Sequence, residues 1–180
     1  MDLSKYNKGN YHPEASFLRQ LLWFYLGSPI VSSYLLPFSS LKILVLRLFG
    51  ATIGNGVRIK PGVRIKFPWK LFIDDHTWIG EAVWIDNLDQ VSIGSHCCLS
   101  QGVYLCTGNH DWSTQSFDLK ISPIVLENHC WIAARSSIGP GVVAREGAVL
   151  TFGSVASKEL AAWTIHSGNP CAVLAKRKCP

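Results

Sequence analysis

The most apolar stretch of this sequence falls short of a membrane span. Residues 15–50 are rich in leucine and aromatics, but Pro29 and Pro37 break them, and Arg19, Lys42 and Arg47 interrupt them with charge. Neither half reaches the roughly 18 apolar residues that a spanning helix needs. Charge is scarce as well: 16% of the 180 residues are charged, against 48% hydrophobic, enough to bury one continuous core. No Lys/Arg run is interleaved with aromatics, so nucleic acid is not an expected partner. The six cysteines show no CxxC spacing, which suits reduced thiols and excludes a disulfide framework. The opening residues, Met1 to Glu14, lack the charged-then-apolar pattern of a secretory signal. A cytoplasmic location, at the inner face of the membrane in one reading, is the expectation. The net charge of +5, with Lys176, Arg177 and Lys178 clustered, suits a small anionic ligand or simply a solubilising tail.

What the chain does have is a six-residue period. Bulky lead residues recur as Ile53, Ile59, Ile65, then Ile73, Ile79, Ile85, then Ile93, Leu99, Leu105. They resume as Leu126, Ile132, Ile138, Ala144, Leu150 and Ala156. Four places after most leads stands a small or β-branched residue, and three places after stands glycine at 56, 62, 102, 141, 147 and 153. This is the pattern of a β-solenoid, in which each short strand points one bulky residue inward and then turns a corner, where glycine supplies positive φ. Three rungs close one triangular coil, so the fifteen leads predict a β-dominated prism of about five coils. The expected layout is an N-terminal helical segment (1–50), the prism (51–160, with a loop at 106–125) and a C-terminal extension (161–180). Within the first segment, helices are predicted over about 14–26 and 39–49, with Ser39 or Ser40 as N-cap and Gly27 and Gly50 as stops. They would cover the open end of the solenoid; a compatible second reading lays one of them in a membrane surface.

The breaks in the period carry the functional signal. Extra residues occur at 67–71, 86–90 and 106–125, each time after the third rung of a coil, so all three segments should leave from one edge of the prism. Four histidines sort against this lattice. His76, His96 and His129 each fall three places after the first lead of a coil, at a corner position that histidine tolerates. A zinc site there is the alternative, but a column spaced along an axis does not converge on one point. His110 lies outside the lattice, in Cys106-Thr107-Gly108-Asn109-His110-Asp111-Trp112, where no packing rule asks for histidine. A neutral imidazole could take a proton from an attacking hydroxyl or amine. Asp86 and Asn87 leave the same edge one coil earlier, as candidates to orient the imidazole or grip an acceptor, or as an Asx turn.

The repeat, the Thr-Gly-Asn-His-Asp loop, Asn128 to Ala133 and Gly168-Asn169-Pro170-Cys171 together resemble the hexapeptide-repeat acetyltransferases. Within them the chain is most similar to the colanic acid and exopolysaccharide O-acetyltransferases, relatives of the galactoside and maltose acetyltransferases. The resemblance implies a left-handed parallel β-helix, acetyl-CoA as donor with no metal, and a homotrimer with sites between subunits. By position it implies His110 as general base and Asp86 or Asn87 at the acceptor, a sugar or lipid-linked oligosaccharide. It implies Trp131 and Ala134 beside the thioester arm of CoA, and Ser157 and Lys158 as further CoA contacts. Where relatives carry basic residues after Pro-Cys this chain has Ala172 and Ala175, and Lys176 and Arg177 are the substitutes. An amino-sugar N-acyl or serine acetyltransferase, a non-catalytic scaffold and a metal-dependent hydratase are the competing readings.

Overall fold

Wherever the six-residue period runs on without a break, the residue three places after the lead turns with positive φ, whatever its type. In the computed structural model, which describes residues 1–9 and 11–178, this holds for the glycines and equally for His76, Ala82, His96, His129 and Arg135. The corner fixes the backbone, and glycine is only its least strained occupant.

The strands are two or three residues long. The first coil is β1 (Thr52–Ile53), β2 (Arg58–Ile59) and β3 (Arg64–Ile65). The second is β4 (Leu71–Ile73), β5 (Trp78–Ile79) and β6 (Trp84–Asp86); the third is β7 (Val91–Ile93), β8 (Cys98–Leu99) and β9 (Tyr104–Cys106). After a hairpin of β10 (Gly108–His110) and β11 (Leu119–Ile121) come β12 (Ile124–Leu126), β13 (Trp131–Ile132) and β14 (Ser137–Ile138). Then follow β15 (Val143–Ala144), β16 (Val149–Leu150) and β17 (Val155–Ala156), and finally β18 (Thr164–Gly168) and β19 (Cys171–Lys176).

Parallel pairing stacks these into three faces. The first is β1-β4-β7-β12-β15, the second begins β2-β5-β8-β13-β16-β18, and the third is β3-β6-β9-β14-β17. All fifteen leads are buried, and so are the small residues four places on, forming one core along the prism axis. Each buried Ile or Leu contributes about 1.5–3 kcal/mol. The expected five coils are complete, and a partial sixth adds to them. Leu160 bridges to Ala144 on the first face and β18 pairs with β16 on the second. Leu160, Thr164 and His166 repeat the spacing of four and six, but the buried lead is a histidine. β19 folds back antiparallel on β18 and finishes the second sheet.

At the other end the helices cover the first coil. α1 (Phe17–Leu22) runs through a π turn (Trp23–Gly27) into α2 (Ser28–Ser32), and α3 (Ser39–Leu48) follows. Polar groups of the first coil that have no strand below them find helix partners. Ile53 O accepts from Arg47 at 2.6 Å, and Ile65 O accepts from Trp23 Nε1 at 3.3 Å. Gly62 N donates to Ser32 O at 3.1 Å. Ser39 Oγ both donates to Ile59 O and accepts from Ile59 N, at 3.2 and 3.1 Å. This is how a solenoid end avoids an open sheet edge.

Two of the expected helix boundaries are corrected. Gly27 does not stop its helix: it has helical φ and ψ, and its missing side chain makes room for the Trp23 ring. Ser39 is the first helical residue rather than the cap, which is Phe38, because its hydroxyl is engaged by Ile59. Gly50, with φ of 92°, ends α3 as expected. Lys42 is fully buried between the helices, its Nζ donating to Val31 O and Ser33 O at 2.6 and 3.1 Å, and burial lowers its pKa.

Candidate active site

Strands β3, β6 and β9 all belong to the third face, and β4, β7 and β12 to the first. The three irregular segments therefore all cross the same edge of the prism, as the period predicted. They are laced together there. Thr107, fully buried, donates its hydroxyl to Asp86 O at 3.2 Å and accepts from Asp89 N at 2.9 Å. Lys70 Nζ reaches Leu88 O at 2.9 Å, and Ser122 N closes the long excursion on Thr107 O at 3.0 Å.

The long excursion is not a loose loop. It holds the antiparallel hairpin β10–β11, in which His110 pairs with Leu119. Asp111 ties its turn by accepting from Ser113 N at 3.0 Å and pairing with Lys120 at 2.8 Å. The Lys120 ammonium, helped by Ser113, holds the Asp111 carboxyl down at about 2. The N-terminal segment packs against this hairpin, with Asp2 N on Gln115 O at 2.8 Å and Leu119 N on Asn7 O at 3.3 Å.

His110 is held on three sides. Its ring stacks on Phe117 at 4.2 Å with 3° between planes, and Tyr6 stands 5.9 Å away. Its Nδ1 lies 3.0 Å from Phe117 O. A carbonyl oxygen can only accept, so Nδ1 carries the hydrogen and the neutral ring keeps its lone pair on Nε2. Phe117 itself has φ of 50°, a strained backbone for a residue of this size. That conformation turns one residue both under the ring and toward its nitrogen. Sequence reading missed Phe117 and Tyr6, because neither belongs to a recognisable spacing.

Asp86 and Asn87 diverge. Asn87 is buried, and its amide pairs the main chain of Phe67 twice: Phe67 N donates to Oδ1 at 3.0 Å and Nδ2 donates to Phe67 O at 2.7 Å. It joins two coils and is fully buried, and it does not line the cavity on which Asp86 opens. Replacing Asn87 with alanine is expected to orphan both Phe67 groups at about 1–3 kcal/mol each. Thermal melting of the variant checks this, and an unshifted melt would contradict the role. Asp86 remains available. Tyr104 OH donates to its Oδ2 at 3.2 Å, while Lys66 Nζ stands 3.0 Å from Oδ1 without hydrogen-bonding alignment. Burial, with Asp86 and Cys106 nearby, raises the Tyr104 pKa, so the phenol stays protonated and donates. Asp86 opens on a cavity of about 470 Å³ walled by Phe17, Leu21, Trp23 and Trp84.

The residues expected on the donor side are spread over the prism. Trp131 is half exposed on the second face, its Nε1 donating to Ser100 Oγ at 3.0 Å. Ala134 follows at the corner toward the third face, its carbonyl accepting from Gly153 N at 3.0 Å. Ser157 and Lys158 are exposed beyond β17 and line a cavity of about 430 Å³ with His166 and Cys171. The two substitute cations are committed to other partners. Lys176 Nζ reaches Thr164 Oγ1 at 3.2 Å. Arg177 binds His129 O and Gly147 O at 2.7 and 3.0 Å, at the corner between the first and second faces. Within one chain the second face is opposite the edge that carries His110. A single prism therefore does not bring Trp131 to the imidazole.

The histidine column stacks His76 on His96 and His96 on His129, with ring centroids 5.2 and 5.3 Å apart. Among the described residues no group of three His, Cys, Asp or Glu side chains is placed to hold a metal ion. The five described cysteines are free thiols; Cys179 lies outside the described residues. The hydrogen bond with the neighbouring Cys97, together with burial, pushes the Cys130 thiol up, so Cys130 does not read as a nucleophile.

Comparison with known proteins agrees with this fold. No protein-family profile matches the chain. It is 41% identical over 136 residues to WcaF of Escherichia coli (strain K12), named for acetyl transfer in colanic acid biosynthesis. That match covers 76% of this chain and 75% of the relative. A hexapeptide-repeat acetyltransferase of Vibrio cholerae, solved in complex with acetyl coenzyme A, superposes with a TM-score of 0.82 at 22% identity. The superposition covers 99% of this chain and 100% of that one. A maltose O-acetyltransferase of Clostridium difficile 630 gives 0.77 at 19% identity, over 90% and 88% of the two chains.

Proposed function

The chain belongs to the hexapeptide-repeat acetyltransferases, the family of WcaF, and from that membership we propose that it moves the acetyl group of acetyl-CoA to a sugar hydroxyl in exopolysaccharide biosynthesis. The observation that carries the reading is the His110 ring, whose Nδ1 hydrogen is engaged by Phe117 O, which leaves the Nε2 lone pair to serve as the proposed base. In the proposed step Nε2 takes the hydroxyl proton while the oxygen attacks the thioester carbonyl. The tetrahedral intermediate collapses by breaking the C–S bond, and the imidazolium returns the proton to the departing thiolate. Proton transfer by a positioned base accounts for part of the rate; holding donor and acceptor face to face accounts for much of the rest. Asp86, held by Tyr104, is the proposed acceptor contact.

The opposition of the second face to the His110 edge favours a homotrimer. A neighbouring chain would present Trp131 and Ala134 to the imidazole, and Ser157 and Lys158, which follow β17, would line the groove for CoA. Free thiols and dependence on acetyl-CoA favour the cytoplasm as its location.

Thiol release from acetyl-CoA, followed against a panel of sugars and amino sugars, tests the proposal. Acetylation of a sugar hydroxyl is the expected result, and Asp86→Asn should raise KM for that acceptor several-fold while leaving KM for acetyl-CoA unchanged. Turnover confined to amine acceptors would replace this reading with an N-acyltransferase, and failure to bind CoA with a scaffold.

A further inference from the structure

Between Ala15 and Lys70 there is no aspartate or glutamate, although that stretch carries eight lysines and arginines. All twelve acidic residues of the chain lie before or after it. The helices and the first coil therefore carry charge of one sign only, with Glu14 and Asp86 pairing Lys70 and Lys66 at their margin. Lys42 and Lys70 are buried, but Arg47, Arg58, Lys60 and Arg64 are exposed around the helix layer.

The same end is apolar on its outer side. The helices turn Trp23, Val31, Val45 and Leu46 toward the first coil. Their opposite sides expose Phe17, Phe24, Tyr25, Leu44 and Leu48, and the α2–α3 connection exposes Leu35, at 91% of its full surface, and Phe38. A helix layer that is apolar on both sides has only one of them explained by the core. So many large apolar side chains exposed on one helix layer point to an interaction surface.

We infer that this cap lies on an anionic lipid bilayer, with its leucines and aromatics entering the headgroup region and its arginines and lysines meeting lipid phosphates. Charge selects the occupant. A second copy would set two cationic ends against each other, and a nucleic acid would satisfy the arginines but not the leucines. An anionic bilayer answers both, combining apolar insertion with attraction of about 1 kcal/mol per basic residue near the surface. No described helix is long and apolar enough to cross a membrane, so the mode is lying on the surface rather than spanning it. This contact does not depend on the acetyl-transfer reading.

Sedimentation of the full chain with vesicles tests it. The chain should co-sediment with vesicles of equal parts phosphatidylethanolamine and phosphatidylglycerol and stay in solution with phosphatidylcholine alone. High salt should weaken the binding, as screening shortens the reach of the arginines. The double variant Leu35→Glu, Leu48→Glu alters only exposed side chains, so its melting temperature should match the parent. It should lose vesicle binding about tenfold or more. A parent chain that ignores phosphatidylglycerol overturns the inference. So does a double variant that binds as the parent does, or one whose oligomeric mass drops, which would show that a second copy covers this face.

Discussion

Replacement of His110 by alanine is expected to lower turnover by roughly 10²–10⁴-fold, the range for loss of a positioned general base. The ring makes one hydrogen bond, to Phe117 O, and stacks on one side chain, so little of the fold rests on it. Melting temperature and affinity for acetyl-CoA should therefore stay near the parent values, and the loss should fall on kcat. Steady-state thiol release with calorimetric binding of CoA separates these outcomes. Near-normal acetylation by the alanine variant would remove His110 from the chemistry. A loss confined to KM would make it a binding contact instead.

The largest expected effect on stability comes from Leu105→Ala. Leu105 is fully buried on the third face, stacked between Ile85 below and Ile138 above. Neighbouring coils are fixed at the spacing of paired strands, so the prism cannot close around a missing side chain as a loosely packed helix pair could. The cost should sit within the range of about 2–5 kcal/mol for a core Leu→Ala. For a domain of this size that lowers the melting temperature by roughly 5–15 °C. Thermal unfolding followed by circular dichroism reads it. A shift under a degree or two would mean that the coils relax independently, contrary to a continuous core.

The lattice of the prism was legible because it is written in short-range order. Leads every six residues, corners three places on and small residues four places on are local facts, and so is the phase that puts three breaks on one edge. The same phase sorted the histidines, leaving His110 as the one without a packing reason among those in the prism's first four coils. The partial sixth coil escaped because His166 fills a lead position that elsewhere is aliphatic, and the step from Ala156 to Leu160 is four residues rather than six. The hairpin escaped because its strands, Gly108–His110 and Leu119–Ile121, are too short and mixed in polarity to show alternation.

Sequence alone determined the coil, the shared edge and the place of His110 outside the lattice, since each follows from periodicity along the chain. Tertiary structure decided what those residues can do. Asp86 and Asn87 are neighbours with similar side chains, and only the stacking of one coil on another turns the amide inward to Phe67 and leaves the carboxylate facing a cavity. The tautomer of His110 depends on a carbonyl seven residues away, aimed by the strained backbone of Phe117. Contacts of that kind arise from the folded geometry of turns and stacked coils, which no spacing rule in the sequence encodes.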